Sequence, residues 1–162
     1  VYLLLLFYGC TRFTRLTFFA WVYVFGWYAF YGCTSLTSVT IPGSVTVIGE
    51  YAFQNCTSLT EVKIPGSVTD IEAYAFSLCE SLKTVEISDG VKSIGNNAFW
   101  DCTSLTSVTI PAGVTSIGSS AFWECTSLAT INYTGTEEQW NAITKGSYWN
   151  AGTGSYQITY KE

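Results

Sequence analysis

The 162-residue sequence predicts a mainly β repeat solenoid, a coil of 23-residue rungs laid one on another. Three observations predict it. Cys10, Cys33, Cys56, Cys79, Cys102 and Cys125 are separated by a constant 23 residues. Phe7, Phe30, Phe53, Phe76, Phe99 and Phe122 keep the same interval, each three places before a cysteine. Ala29, Ala52, Ala75, Ala98 and Ala121 keep it as well. One such unit cannot bury its apolar side alone, but stacked on copies of itself it forms a continuous core with like residues on like.

The unit Thr34–Cys56, TSLTSVTIPGSVTVIGEYAFQNC, shows how each part earns its place. Val39 and Ile41 are two apart, so both point to one face of a short strand, with Leu36 leading into it. Pro42 ends the strand because it cannot continue a ladder, and Gly43 and Ser44 turn the chain. Val45 and Ile48 are the next inward pair. Gly49 is expected to allow a bend, and YAFQNC to fold as a tight turn or one short 3₁₀ helix. The chain then divides into a partial repeat at 1–10, five repeats over 11–125, and a last strand with a C-terminal cap over 126–162, all in a single domain. In the cap, Thr136 and Gln139 form a T-x-x-Q capping box, and Glu137 and Glu138 suit a helix start. A helix is expected from Thr136 to about Lys145, stopped by Gly146, with Trp140 and Ile143 sharing the face that lids the last rung. SYQITY alternates and reads as a terminal strand.

The pattern C-T-S-L-T-S-V-T-I-P-x-x-V-T-S-I-G-x-x-A-F-x-x-C fits Cys33–Cys56 and Cys102–Cys125 almost letter for letter. Over about residues 30–133 the chain resembles the BspA-like, or Treponema pallidum type, leucine-rich repeats. The tail NYTGTEEQWNAITKGSYWNAGTG is similar to the closing segment of such proteins from gut bacteria. The resemblance implies a right-handed coil with a concave parallel sheet. It implies a bacterial secreted or cell-surface protein, often multidomain, that adheres to proteins or cells. It carries over no catalytic residues.

Two stretches compete with this reading. The opening VYLLLLFYGC looks like a lipid-attachment site, yet Phe7 and Cys10 hold the repeat register, and bulky Phe7 and Tyr8 stand where smaller residues belong. Leu16–Cys33 is 18 residues without a charge and mimics a membrane span. Its Leu16, Phe18, Val22, Phe25, Gly26, Ala29 and Phe30 nevertheless occupy the slots of Val39, Ile41, Val45, Ile48, Gly49, Ala52 and Phe53, a register a membrane helix has no reason to keep. By the same counting, Leu3, Leu4 and Leu5 take the slots of Gly49, Glu50 and Tyr51.

The outward slots of this first repeat carry Phe19, Trp21, Tyr23 and Trp27, where the next has Pro42, Ser44, Thr46 and Glu50. A dense exposed apolar cluster marks an interface. Three accounts stay open: a cap over the first rung, a contact with an upstream domain or a second copy of the chain, or residue identities that depart from a natural repeat. Without a methionine anywhere, the chain is expected to be processed or truncated.

The net charge of −5 argues against nucleic acid and anionic membranes as partners. Without histidine there is no Ser-His or Cys-His dyad and no histidine metal site, so no enzyme, no cofactor and no metal are expected. Cysteines stacked one per rung lie about 4.8 Å apart, more than a disulfide wants between Cβ atoms, and a line of thiols does not converge on zinc. They are expected to be reduced, buried core residues.

The outward strand slots are mostly hydroxyls, interrupted by Arg15, Glu61, Lys63 and Glu86, the candidate binding residues of the concave face. Six strands give that face roughly 400 Å², against about 800 Å² per partner in a stable interface. The function read from the sequence is therefore a non-enzymatic scaffold for protein recognition or adhesion. Its rivals are a structural spacer that self-associates through the aromatic rung, and a carbohydrate-binding module using Trp100 and Trp123.

Overall fold

The computed structural model describes residues 2–3, 7–18 and 21–161. In chain order its elements are β1 (Tyr2–Leu3), β2 (Arg15–Thr17), β3 (Val24–Phe25), β4 (Ser38–Thr40), β5 (Val47–Ile48), β6 (Glu61–Ile64) and β7 (Asp70–Ile71). There follow β8 (Thr84–Ile87), β9 (Ser93–Ile94), β10 (Ser107–Ile110), β11 (Ser116–Ile117), β12 (Thr130–Tyr133), α1 (Glu137–Ala142), β13 (Thr144–Lys145) and β14 (Gln157–Thr159). Even-numbered strands form one parallel sheet in the order β14-β12-β10-β8-β6-β4-β2. Odd-numbered strands form a second, in the order β1-β3-β5-β7-β9-β11-β13. The protein is a parallel-sheet solenoid, as the interval predicts.

The registers hold that interval in three dimensions. Leu16 pairs with Val39, Val62 with Val85, Val85 with Val108 and Phe25 with Ile48. The phenylalanines form one interior column, with ring centroids 4.8 Å apart for Phe30 and Phe53, 5.1 Å for Phe53 and Phe76, and 5.4 Å for Phe76 and Phe99. Phe30, Phe53, Phe76, Phe99 and Phe122 are fully buried. Residues 16–18 and 21–33 are short strands, turns and irregular chain, and no helix among the described residues is long and apolar enough to cross a membrane.

The second sheet is absent from the sequence reading. Its strands are two residues long, and their outward members run valine, aspartate, serine, serine at Val47, Asp70, Ser93 and Ser116, so no alternation announces them. Other expectations need revision too. The chain does turn at Gly49, whose carbonyl accepts from Ala52 N, but without a positive φ; a Cβ there would lie 2.7 Å from the Phe25 carbonyl oxygen, so the glycine is needed for close rung-to-rung approach. The turn that follows contains i→i+3 bonds, among them Gln54 N to the Tyr51 carbonyl and Cys56 N to the Phe53 carbonyl. Left-handed residues at Tyr51 (φ 59°) and Asn55 (φ 60°) interrupt any 3₁₀ run. The same two slots are left-handed in the next rungs, at Tyr74 and Leu78, Asn97 and Asp101, and Ser120 and Glu124.

The interval also slips at both ends. β1 pairs Leu3 with Phe25, which puts it in the slot of Ile48 rather than that of Gly49. Leu4 and Leu5 lie outside the described residues. At the other end β13 pairs Thr144 with Ser116, 28 residues apart, because α1 is inserted ahead of it. The closing segment is thus a long rung in its own right. Phe122 N donates to the Trp149 carbonyl as Phe99 N does to Ala121, and Trp149 meets Phe122 edge-on at 6.3 Å. Helix α1 has the expected capping box and buries Trp140, but it ends at Ala142. Ile143 is extended and buried, and Thr144 and Lys145 are drawn into the second sheet, so tertiary pairing overrides the local helical pattern.

Hydroxyls fasten the rungs from outside. Thr37, Thr60 and Thr106 donate to the carbonyls of Thr14, Thr37 and Lys83, one rung earlier, and Ser44 and Ser67 do the same to Val22 and Val45. Inside, the Cys56, Cys79, Cys102 and Cys125 thiols each donate at 3.2 Å to a phenylalanine carbonyl of the preceding rung. All six cysteines are free, and five are buried; Cys10 is only half-buried, against the expectation for it. Burial pushes the Cys79 and Cys125 thiols up to about 12 and that of Cys102 well above its ordinary value.

Candidate functional site

The even-numbered sheet turns its outward slots to solvent in cross-strand rows. Arg15 is in register with Ser38 and Ser38 with Glu61, so Arg15 and Glu61 stand two strand spacings apart, about 10 Å, with a small side chain between them. In the neighbouring row Lys63 is in register with Glu86, and their Nζ and Oε1 atoms are 2.6 Å apart. That pair is 69 % and 54 % exposed, so it adds at most about 1 kcal/mol to stability and is available to a partner.

All four charged residues line one shallow depression of about 580 Å³. It also takes in Ser38, Thr40, Thr84 and Pro65. The depression has a structural cause. β4 and β6 share a single registered pair, Ser38 with Glu61, whereas β2 and β4 share three and β6 and β8 share four. The ladder opens there, and Val39 and Ile41 keep 9 % and 7 % exposure where the equivalent Val62 and Ile64 keep 3 % and 0 %. The charges were legible in the sequence. The opening was not, because residue types alone do not show which strands splay.

The aromatic cluster lies elsewhere, on the outer side of the first repeat around β3. Trp21, Tyr23 and Trp27 are 54 %, 53 % and 62 % exposed; Phe19 lies outside the described residues. Trp100 is half-buried and Trp123 is 37 % exposed, both on the turn edge. Among the described residues no three metal-ligating side chains come together.

A two-sheet parallel coil with an outward strand face and a phenylalanine-cysteine spine defines a leucine-rich-repeat scaffold. The chain belongs to the BspA type leucine rich repeat family, whose model matches residues 23–150 with six copies. Among solved structures it is similar to a leucine rich cell surface protein from Faecalibacterium prausnitzii, with 37 % identity and a TM-score of 0.78 over 81 % of this chain. That match spans only 35 % of the Faecalibacterium chain. It is also similar to a leucine rich repeat protein of T. pallidum, at 30 % identity and a TM-score of 0.67, covering 86 % of this chain and 67 % of that one. A leucine-rich repeat protein from Bacteroides ovatus, at 22 % identity and a TM-score of 0.65 over 97 % of this chain and 51 % of that one, shares the fold. No curated protein matches the chain.

Proposed function

We propose that the chain is a non-enzymatic recognition module of a secreted or cell-surface bacterial protein, and that it contacts protein partners through the even-numbered strand face. The observation that carries this reading is the convergence of Arg15, Glu61, Lys63 and Glu86 on the depression where β4 and β6 part. Alternating charges on an exposed face select partners and steer encounter more than they add affinity. The face is about half the size a stable interface needs, so binding by this chain alone is weak and gains strength from repetition. The similarity to a protein described as a cell surface protein supports the location.

The test is an array of host extracellular proteins probed with the biotinylated chain, beside the variants Arg15→Glu and Glu61→Lys. A partner whose binding falls about tenfold or more in both variants supports the reading. No binder, or one indifferent to both substitutions, overturns it.

A second reading is favoured by a separate observation, the more than half-exposed Trp21, Tyr23 and Trp27 on one rung. It makes that rung a contact between two copies. Sedimentation should then show a dimer that Trp21→Ser and Trp27→Ser weaken, and a monomer across micromolar concentrations rejects it.

A further inference from the structure

The turn edge of the solenoid is chemically unlike its strand face. The five segments 26–33, 49–56, 72–79, 95–102 and 118–125 contain no lysine or arginine. Their charges are the carboxylates Glu50, Glu72, Asp101 and Glu124. Their outward slots are rich in tyrosine and tryptophan, side chains with a flat apolar body and a polar tip. Near the N-terminal end these rings use up their faces on each other. Tyr28 and Tyr51 stack at 4.7 Å and 6°, and Tyr51 and Tyr74 at 5.0 Å and 9°. Near the C-terminal end they do not. Trp123 and Tyr148 are 5.9 Å apart but tilted by 42°, and they are 37 % and 70 % exposed. Trp100 holds the Trp123 slot one rung earlier. Beside Trp123, the Glu124 carboxylate accepts the indole Nε1–H at 3.0 Å on Oε1, and Asp101 follows Trp100 in the same way in sequence.

We propose that Trp100 and Trp123, in one slot of successive rungs, and Tyr148, in the neighbouring slot of the closing rung, form a binding patch for a neutral polysaccharide, with the sugar chain running along the solenoid axis. A pyranose presents C–H bonds on its faces and hydroxyls around its rim. Tilted, solvent-facing rings take the first, and Asp101 and Glu124 accept hydrogen bonds from the second. Trp100 and Trp123 follow each other at the strand spacing of about 4.8 Å, and Tyr148 stands one slot aside, 5.9 Å from Trp123, so the patch offers a staggered run of rings along the coil, as a linear polysaccharide offers sugars. Carboxylates without a single basic residue exclude polyanions such as acidic polysaccharides and nucleic acids. This site shares no residue with the strand face, so the two proposals stand or fall separately.

The test is calorimetry and tryptophan fluorescence on the intact chain with neutral hexasaccharides of the cello, xylo, manno, laminari and malto series, and with polygalacturonate as the anionic control. At least one neutral series should bind and shift the emission, and polygalacturonate should not. Trp123→Ala and Tyr148→Ala should each weaken binding about tenfold, with Trp123→Phe keeping part of it. Glu61→Lys, on the strand face, should bind like the unaltered chain. Because Tyr148 is mostly exposed, its variant reports on binding even where Trp123→Ala perturbs the fold. No heat or emission change with any of the five series at millimolar concentration overturns the proposal. Binding that survives both alanine variants also overturns it.

Discussion

The repeat 11–33 and the repeat 57–79 share a backbone plan and differ in what they do with it. Slot for slot, Val22 matches Val68, Phe25 matches Ile71, Phe30 matches Phe76 and Cys33 matches Cys79, and all eight are buried. Outward, the first has Trp21, Tyr23 and Trp27 where the second has Ser67, Thr69 and Ala73. Phe13, in the slot of the fully buried Leu59, is 44 % exposed. The contrast shows that the inward slots are enough to keep the register of the coil. Outward slots are free to vary from hydroxyl fasteners to indoles without moving the register, since β3 still pairs with β5 residue for residue. In this architecture recognition surfaces can therefore change while the scaffold stays fixed.

The largest effect that would sharpen this comparison comes from the spine. Phe76 is fully buried and stacked on both sides, at 5.1 Å and 5.4 Å, so Phe76→Ala should cost about 3–5 kcal/mol in urea denaturation. Phe7 holds the same slot but is half-buried, with Phe30 stacked at 5.4 Å and Phe13 meeting it edge-on at 5.9 Å. Phe7→Ala should cost less than half as much, because the removed ring leaves water rather than a sealed cavity. Equal costs would break the comparison by showing that the first rung is as tightly coupled as the middle.

The spine was readable because burial on both sides of a rung leaves few residue types that fit, so Phe, Ala and Cys recur in place. The two-residue strands around Ile48, Ile71 and Ile94 were not readable, because each contributes one inward residue and a ladder needs two points to show a period. The closing rung hid behind its own inserted helix. The pairing of Thr144 with Ser116 puts Gly146 and Ser147 in the slots of Gly118 and Ser119 at an interval of 28 rather than 23, a signal too short to recognise without the fold. The site divides in the same way. Arg15, Glu61, Lys63 and Glu86 declare themselves as charges among hydroxyls, whereas the parting of β4 from β6 is a property of pairing that no single rung encodes.

A smaller effect, silent at neutral pH, tests the comparison through the thiols. Cys79 is buried and its thiol is pushed up to about 12 by desolvation, while Cys10 is half-buried. Iodoacetamide reacts with thiolate, so the folded chain at pH 8 should take up one carbamidomethyl group quickly, at Cys10, and the other five only after urea is added. The same burial sets a direction for stability. Below pH 9, the ordinary thiol value, folded and unfolded chains both hold their protons and nothing is lost. Between pH 9 and about 12 the unfolded chain releases thiol protons that the folded chain keeps, so the urea midpoint should fall steadily as pH rises. Tyr51, Tyr133 and Tyr160, also raised by desolvation, add to the decline from about pH 10. Rapid uptake of a second equivalent at pH 8 would show that the rung beside Cys10 opens as a unit. The first repeat would then differ from the third in its packing as well as in its surface.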